Sequence, residues 1–137
     1  MKQFGNVTTP VPRLGELGLK NYAPYLMNRI MGRYNAALKE EMSALGLTTP
    51  QMRALAVLSV VNGILIGELA VYAVVPQSTL SRALDALVRD GLIRRETDGA
   101  DSRAVRVFVT DTGREAHDRL WPHMAQAYEA MFHGISD

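Results

Sequence analysis

Five polar side chains lie close together in residues 76–90, a stretch whose apolar residues recur at helical spacing. Their hydrogen-bonding groups are those that contact nucleic acids: an arginine fits a phosphate or guanine, a glutamine fits adenine or a phosphate, and hydroxyls fit either. The five are Gln77, Ser78, Thr79, Ser81 and Arg82. The pattern predicts a contact surface for a polar partner. Taken alone, it is equally typical of a helix face exposed to water.

An arginine in a second stretch suggests a related role. Residues 98–103, Asp-Gly-Ala-Asp-Ser-Arg, separate two β-prone runs and predict an antiparallel hairpin with a six-residue loop. A long cation at the tip of such a loop, here Arg103, can enter a narrow minor groove, where negative potential is concentrated. Asp101 can orient that guanidinium through a charge-assisted hydrogen bond. The alternative is an exposed ion pair that contributes little.

Catalysis and metal binding are not supported by the remaining polar residues. There is no cysteine, which excludes disulfides, thiolate metal sites and sensing by cysteine oxidation. His117, His123 and His133 fall on one predicted helix, but the first two point about 120° apart and form no single metal-binding face. No zinc-protease or phosphate-loop motif occurs. We therefore expect a protein that is not an enzyme and uses no cofactor or metal.

Composition limits the class of protein further. The 137 residues fit a single domain, and 47% hydrophobic with 21% charged residues is typical of a globular chain. No apolar run has the length of a membrane span, and residues 1–6 contain no signal-peptide core. We expect a cytoplasmic protein. The net charge of +1 does not by itself indicate a nucleic-acid-binding protein, so that interpretation depends on where the basic residues lie.

The elements that carry these residues follow from periodicity and from turn residues. Two prolines and three glycines in residues 1–18 favour an extended arm. The other predicted elements are a long amphipathic helix (24–45), a helix with an N-terminal capping box (49–60), a short strand (64–66), a two-turn helix (67–73), a helix with a polar face (76–90), the hairpin, and a helix capped by Thr110 that runs to about His133 and is bent or split at Pro122. Two short helices followed by a hairpin predict a winged helix-turn-helix.

Several short motifs together resemble the MarR family of bacterial transcription regulators. The resemblance spans about residues 25–131 and is specific in combination. The matching motifs are Gly91-Leu92-Ile93-Arg94-Arg95, Asp101-Ser102-Arg103-Ala104, Val109-Thr110-Asp111-Thr112-Gly113, Leu47-Thr48 with Gln51, Glu68-Leu69-Ala70, and Ser78-Thr79-Leu80-Ser81-Arg82 with Leu87.

The resemblance implies a mainly α, α+β winged-helix fold and a homodimeric repressor or activator. Helices and the arm from residues 1–45 and 111–137 would form the dimerisation region, flanking a winged helix-turn-helix with a two- to three-stranded sheet in residues 47–110. The helix at 76–90 would lie in the major groove of double-stranded DNA at an inverted repeat. Arg103, supported by Asp101, would reach the minor groove.

The sequence departs from the family pattern in three respects. Ser102 stands where many members carry another arginine, so we expect weaker DNA binding by this loop. Leu65 and Gly67 replace the polar residues that usually open the two-turn helix. Residues 134–137 lie where members usually begin a last dimerisation helix, and we expect the N-terminal arm to supply the missing contacts.

Members of the family commonly release DNA when a small, often aromatic, anion binds between the dimerisation helices and the winged domain. The residues expected to line such a pocket here are Tyr22, Tyr25, Arg29, Met52, His117 and Trp121. Each of them also fits an ordinary core or interface position. The alternative function is a winged-helix module that contacts proteins rather than DNA, which the near-neutral charge permits. A gel shift across a salt series separates the two, because phosphate contacts weaken steeply with salt.

Overall fold

The computed structural model describes residues 11–99 and 101–132, without the side chains of Asp101 and Ser102. Its order of elements follows the sequence prediction closely. In chain order the elements are α1 (Leu14–Leu17), a 3₁₀ helix (Leu19–Asn21), α2 (Ala23–Leu45), α3 (Thr49–Leu58), β1 (Ile64–Leu65), α4 (Ile66–Ala73), α5 (Gln77–Arg89), β2 (Ile93–Asp98), β3 (Asp101–Val109) and α6 (Asp111–Ala130). The fold is the predicted mainly α winged helix with a small sheet.

One hydrophobic core joins the long helices to the helix-turn-helix. Leu38 on α2 and Leu120 on α6 are fully buried where these helices pack together, as their spacing predicts. Leucines from α3, α4 and α5 belong to the same core, and the sheet contributes Val107 of β3 to it. The polar face of α5 is therefore held from behind by tightly packed side chains.

The sheet has three antiparallel strands in the order β1-β3-β2. Ile64 pairs with Val107, and Ile93 pairs with Val109. Beyond the end of β1, the Asn62 side-chain oxygen accepts a hydrogen bond of 2.9 Å from the Val109 amide. This side-chain contact replaces a backbone hydrogen bond that the two-residue strand β1 is too short to provide. The Val109 amide of β3 therefore has a hydrogen-bond partner.

The hairpin differs from the sequence prediction. Strand β2 runs to Asp98 and β3 begins at Asp101, so the loop has two residues and the predicted six-residue loop is wrong. Cross-strand pairing of Asp98 with Asp101 outweighs the low β-propensity of these residues. Arg103 consequently lies within β3, opposite a register shift between Thr97 and Asp98. Such irregularities bend a strand and redirect its side chains.

The prediction of an extended N-terminal arm is wrong for the residues that the structure describes. Residues 11–18 are not simply extended, because α1 forms with backbone hydrogen bonds such as Gly18 N–H to the Leu14 carbonyl, 2.8 Å. Helix α6 continues past Pro122, so the predicted split is absent, while the alternative of a bend at this proline stays a prediction. Residues 1–10, His133 and residues 134–137 lie outside the described residues, so the expected role of the arm and of the chain's end stays a prediction.

The predicted caps are present. Thr48 and Gln51 form a reciprocal capping box at the start of α3, and the Thr110 hydroxyl accepts a hydrogen bond of 3.1 Å from the Gly113 amide. Leu65 gives α4 no side-chain cap, as its apolar character predicts. In the part of the chain that the structure describes, no helix is long and apolar enough to cross a membrane.

Candidate nucleic-acid interface

The five polar residues singled out in the sequence lie together on the outer side of α5. Their side chains are all exposed, whereas Leu80, Ala83, Leu84 and Leu87 on the opposite side are buried. The exposed five are Gln77, Ser78, Thr79, Ser81 and Arg82. They occupy the first two turns of the helix, which is the part of a recognition helix that reaches base edges.

Ion pairs connect the hairpin to α5 and also form within the hairpin. Arg95 on β2 pairs with Asp85 on α5, so the hairpin is fastened to the helix that carries the polar face. Arg94 pairs with Glu96 at 2.6 Å and stacks over the Phe108 ring at 4.4 Å. Much of the local positive charge is therefore already matched by a carboxylate.

Arg103 is exposed on β3. The side chain of Asp101 lies outside the described residues, so its support of the Arg103 guanidinium stays a prediction. A further pair, Arg106 with Asp98 at 3.6 Å, links the two hairpin strands close to the register shift.

A compact joint connects the end of α5 with the start of α6. The Thr110 amide donates to the Leu92 carbonyl at 3.0 Å, and the Thr110 hydroxyl donates to the Gly91 carbonyl at 2.6 Å. Gly113 packs so closely that a Cβ at this position would lie 2.0 Å from the Leu92 oxygen. The start of α6 is therefore in direct contact with the segment that follows α5.

An apolar cavity of about 790 Å³ lies between α2, α3, α6 and the turn between α4 and α5. Of the six residues predicted to line an effector pocket, Met52 and Trp121 line this cavity. Its other lining residues are Met31, Tyr34, Asn35, Arg53, Ala56, Val57, Tyr72, Ala73, Val74, Met124, Tyr128, Met131 and Phe132. Sequence analysis missed these thirteen, although an arginine amid the apolar residues of α3 was a usable signal.

The other four predicted pocket residues do not line this cavity, although one of them lies beside Trp121. Tyr22 and Tyr25 lie at the start of α2, where the Arg29 guanidinium is 5.9 Å from the Tyr25 ring centroid. His117 lines a separate cavity of about 130 Å³, and its ring lies 6.1 Å from the ring of Trp121. Burial lowers the pKa of His117, and the charge of Asp118 opposes that shift in part. The structure therefore brings Met52, His117 and Trp121 into one region, and the effector site of all six residues stays a prediction.

Arg53 and Val74 form an unexpected contact at the edge of the large cavity. The Arg53 Nη1 donates to the Val74 carbonyl at 3.3 Å. Val74 has φ 55°, and it is the non-glycine residue with positive φ in the described part of the chain. A β-branched residue in this conformation is strained. The strain falls on the turn that joins the two helices of the helix-turn-helix.

No cluster of three histidine, cysteine, aspartate or glutamate side chains that could hold a metal ion occurs within residues 11–99 and 101–132. His123 lies instead within 3.3 Å of Glu41, across the contact between α6 and α2.

Comparisons with known proteins agree with this architecture. A family model described as MarR family matches residues 45–104. A crystal structure of a MarR-family transcriptional regulator from Silicibacter pomeroyi is 61% identical and has a TM-score of 0.81, covering 90% of this chain and 84% of that one. The repressor IacR from Pseudomonas putida is 22% identical over 126 residues, which are 92% of this chain and 75% of IacR.

A third match shows the fold at lower identity. The structure of Bordetella bronchiseptica BpsR, described as regulated in its DNA binding by 6-hydroxynicotinic acid, is 23% identical with a TM-score of 0.73, over 82% of this chain and 85% of BpsR. The winged helix, the matching family model and the high identity to the Silicibacter protein lead to one conclusion: this chain is a transcriptional regulator that belongs to the MarR family.

Proposed function

We propose that this chain is a repressor that binds a specific double-stranded DNA sequence as a homodimer and releases it when a small ligand binds. The observation that carries the proposal is the exposed polar face in the first two turns of α5. Leucines packed behind that face hold the helix rigidly, so its side chains present a fixed pattern to the major groove. A regulator of this kind acts in the bacterial cytoplasm, where the chromosome lies.

Exposed apolar side chains near both ends of the described chain support a dimer. Leu14, Leu19 and Met27 are 47%, 50% and 63% exposed, and Tyr128 on α6 is 62% exposed. Apolar residues grouped in this way are commonly covered by a partner surface. A two-fold dimer predicts an inverted-repeat operator with half-sites about one helical turn apart.

The large cavity supports ligand response. Its lining is apolar and aromatic and lies between the long helices and the helix-turn-helix, so an occupant contacts both regions. BpsR, which shares the fold, is described as controlled by 6-hydroxynicotinic acid. We propose a small aromatic anion of this general kind as the effector, with Met52 and Trp121 among its contacts.

Selection of bound sequences from a random DNA pool tests the proposal. We expect enrichment of one inverted repeat, and an affinity for it that falls steeply with salt because phosphates are being neutralised. Failure to enrich any sequence, combined with no salt-dependent gel shift, would instead favour a winged-helix module that contacts proteins.

The Arg103→Ala variant tests the role of the hairpin. Because minor-groove contacts report mainly groove width and A·T content, the variant should lose selection for A·T-rich flanks while the half-site sequence is retained. We expect binding to weaken about tenfold, the equivalent of one hydrogen bond to a charged group. Arg119→Ala, an exposed arginine on α6, is the matched control. Unchanged flank preference in Arg103→Ala would contradict the assignment.

A further inference from the structure

The large cavity reaches the turn of the helix-turn-helix through two residues. Arg53 and Val74 both line it, and the Arg53 guanidinium donates to the Val74 carbonyl at 3.3 Å. Any molecule that fills the cavity therefore lies beside this hydrogen bond. Because α5 begins at Gln77, the contacted turn is only two residues from the polar face.

Val74 holds a conformation that its own side chain disfavours. Its backbone is left-handed, with φ 55° and ψ 53°, at the position that ends α4. Glycine usually occupies this position because it has no Cβ penalty. The Val74 side chain is 77% exposed, so burial in this chain does not compensate the strain. The surrounding contacts, including the one from Arg53, must hold the turn in place.

Arg53 is well suited to bind a carboxylate. It is the one charged side chain among the residues that line the cavity in the described part of the chain. Tyr34 lies near it: burial raises the pKa of this phenol, and the positive charge of Arg53 opposes the shift. A guanidinium between aromatic and apolar walls pairs with a planar carboxylate through two parallel hydrogen bonds.

We infer that Arg53 and Val74 form the switch by which a ligand acts on the helix-turn-helix. An aromatic carboxylate in the cavity draws the Arg53 guanidinium away from the Val74 carbonyl. Without that hydrogen bond the turn leaves its strained left-handed conformation, and the start of α5 moves. This inference rests on the proposed function, and it adds the residue that binds the carboxylate and the turn through which binding changes the position of α5.

Three readouts test the switch separately. Trp121 is the single tryptophan of the chain and lines the cavity, so its fluorescence reports ligand binding. Amide hydrogen exchange in residues 73–76 reports the turn without any DNA present. Affinity for the selected operator reports the regulatory outcome. The probes are benzoate and 6-hydroxynicotinate, with benzamide as the uncharged analogue.

Separate variants test ligand binding by Arg53 and the response of the turn at Val74. Arg53→Gln should bind both carboxylates about tenfold more weakly, because a hydrogen bond to a charged group is lost. Lys39→Gln makes the same chemical change at an exposed position of α2 outside the cavity and should bind like the wild type. Val74→Gly should bind the carboxylates normally, yet neither exchange at the turn nor operator affinity should respond, since glycine keeps the left-handed turn without strain.

The outcomes that overturn the inference are specific. It is wrong if the wild type binds neither carboxylate, if benzamide binds as well as benzoate, if Arg53→Gln binds like the wild type, or if the turn in Val74→Gly responds to ligand as the wild type does. Failure of the proposed function gives a different pattern: the carboxylates change fluorescence and turn exchange as expected, but the wild-type protein binds no operator.

Discussion

The Gly113→Ala variant is expected to lose more than about 3 kcal/mol of its free energy of unfolding, because the new methyl group collides with backbone that cannot move aside. A Cβ at this position would lie 2.0 Å from the Leu92 oxygen and 2.7 Å from a methyl carbon of Val109. The Leu92 carbonyl also accepts the Thr110 amide, so relieving the clash breaks the joint between α5 and α6.

Thermal and urea denaturation measure this loss, which corresponds to a melting temperature roughly 10 °C lower for a chain of this size. Thr112→Ala is the matched control, because it also places alanine in the first turn of α6 but at an exposed position. A melting temperature for Gly113→Ala equal to that of the control would show that α6 does not begin against Leu92.

A contact between the Arg82 guanidinium and a base predicts that the Arg82→Ala variant weakens operator binding by roughly 1–3 kcal/mol. The variant should also relax the sequence requirement at one position of each half-site. Arg82 is exposed in the second turn of α5, where a side chain reaches the groove floor. A contact to phosphate predicts a different result: similar weakening for every sequence.

Binding isotherms against the selected operator and its single-base variants separate these results. Arg89→Ala is the control, since Arg89 is exposed at the far end of the same helix and lies 3.6 Å from Asp90. Unaltered binding by both Arg82→Ala and Arg103→Ala would refute the proposal that this surface contacts DNA.

Much of the fold was predictable because local signals and packing agree. The apolar period of α2 and the Thr48–Gln51 capping box each place a helix within a few residues of its observed bounds. The same holds for the polar face of α5, because a helix that buries leucines on one side must expose the residues between them.

The hairpin loop and the pocket were not predictable to the same degree, because both depend on contacts between distant residues. The extent of β2 and β3 is set by pairing across the strands, which reaches Asp98 and Asp101 despite their low β-propensity. The pocket prediction placed Tyr25 and Arg29 beside Trp121, but the directions in which α2 and α6 face each other were not available from periodicity alone.

The contact between Arg53 and Val74 was the feature least predictable from the sequence. Nothing in a valine predicts a left-handed backbone, and Pro76 signals only that a helix must end nearby. Arg53 interrupts the apolar residues of α3, which marks it as unusual without revealing its partner 21 residues later.

The paired arginines of the hairpin have a consequence for how a DNA-binding regulator finds its target. Arg94, Arg95 and Arg106 each face a carboxylate, which lowers the net positive charge that the hairpin offers to DNA of arbitrary sequence. A chromosome offers millions of competing sites, and a protein that adheres to all of them is rarely at the correct one. Under the proposed function, charge pairing within the hairpin shortens each unproductive encounter. Selectivity then comes as much from weak attachment to the wrong sequence as from strong attachment to the right one.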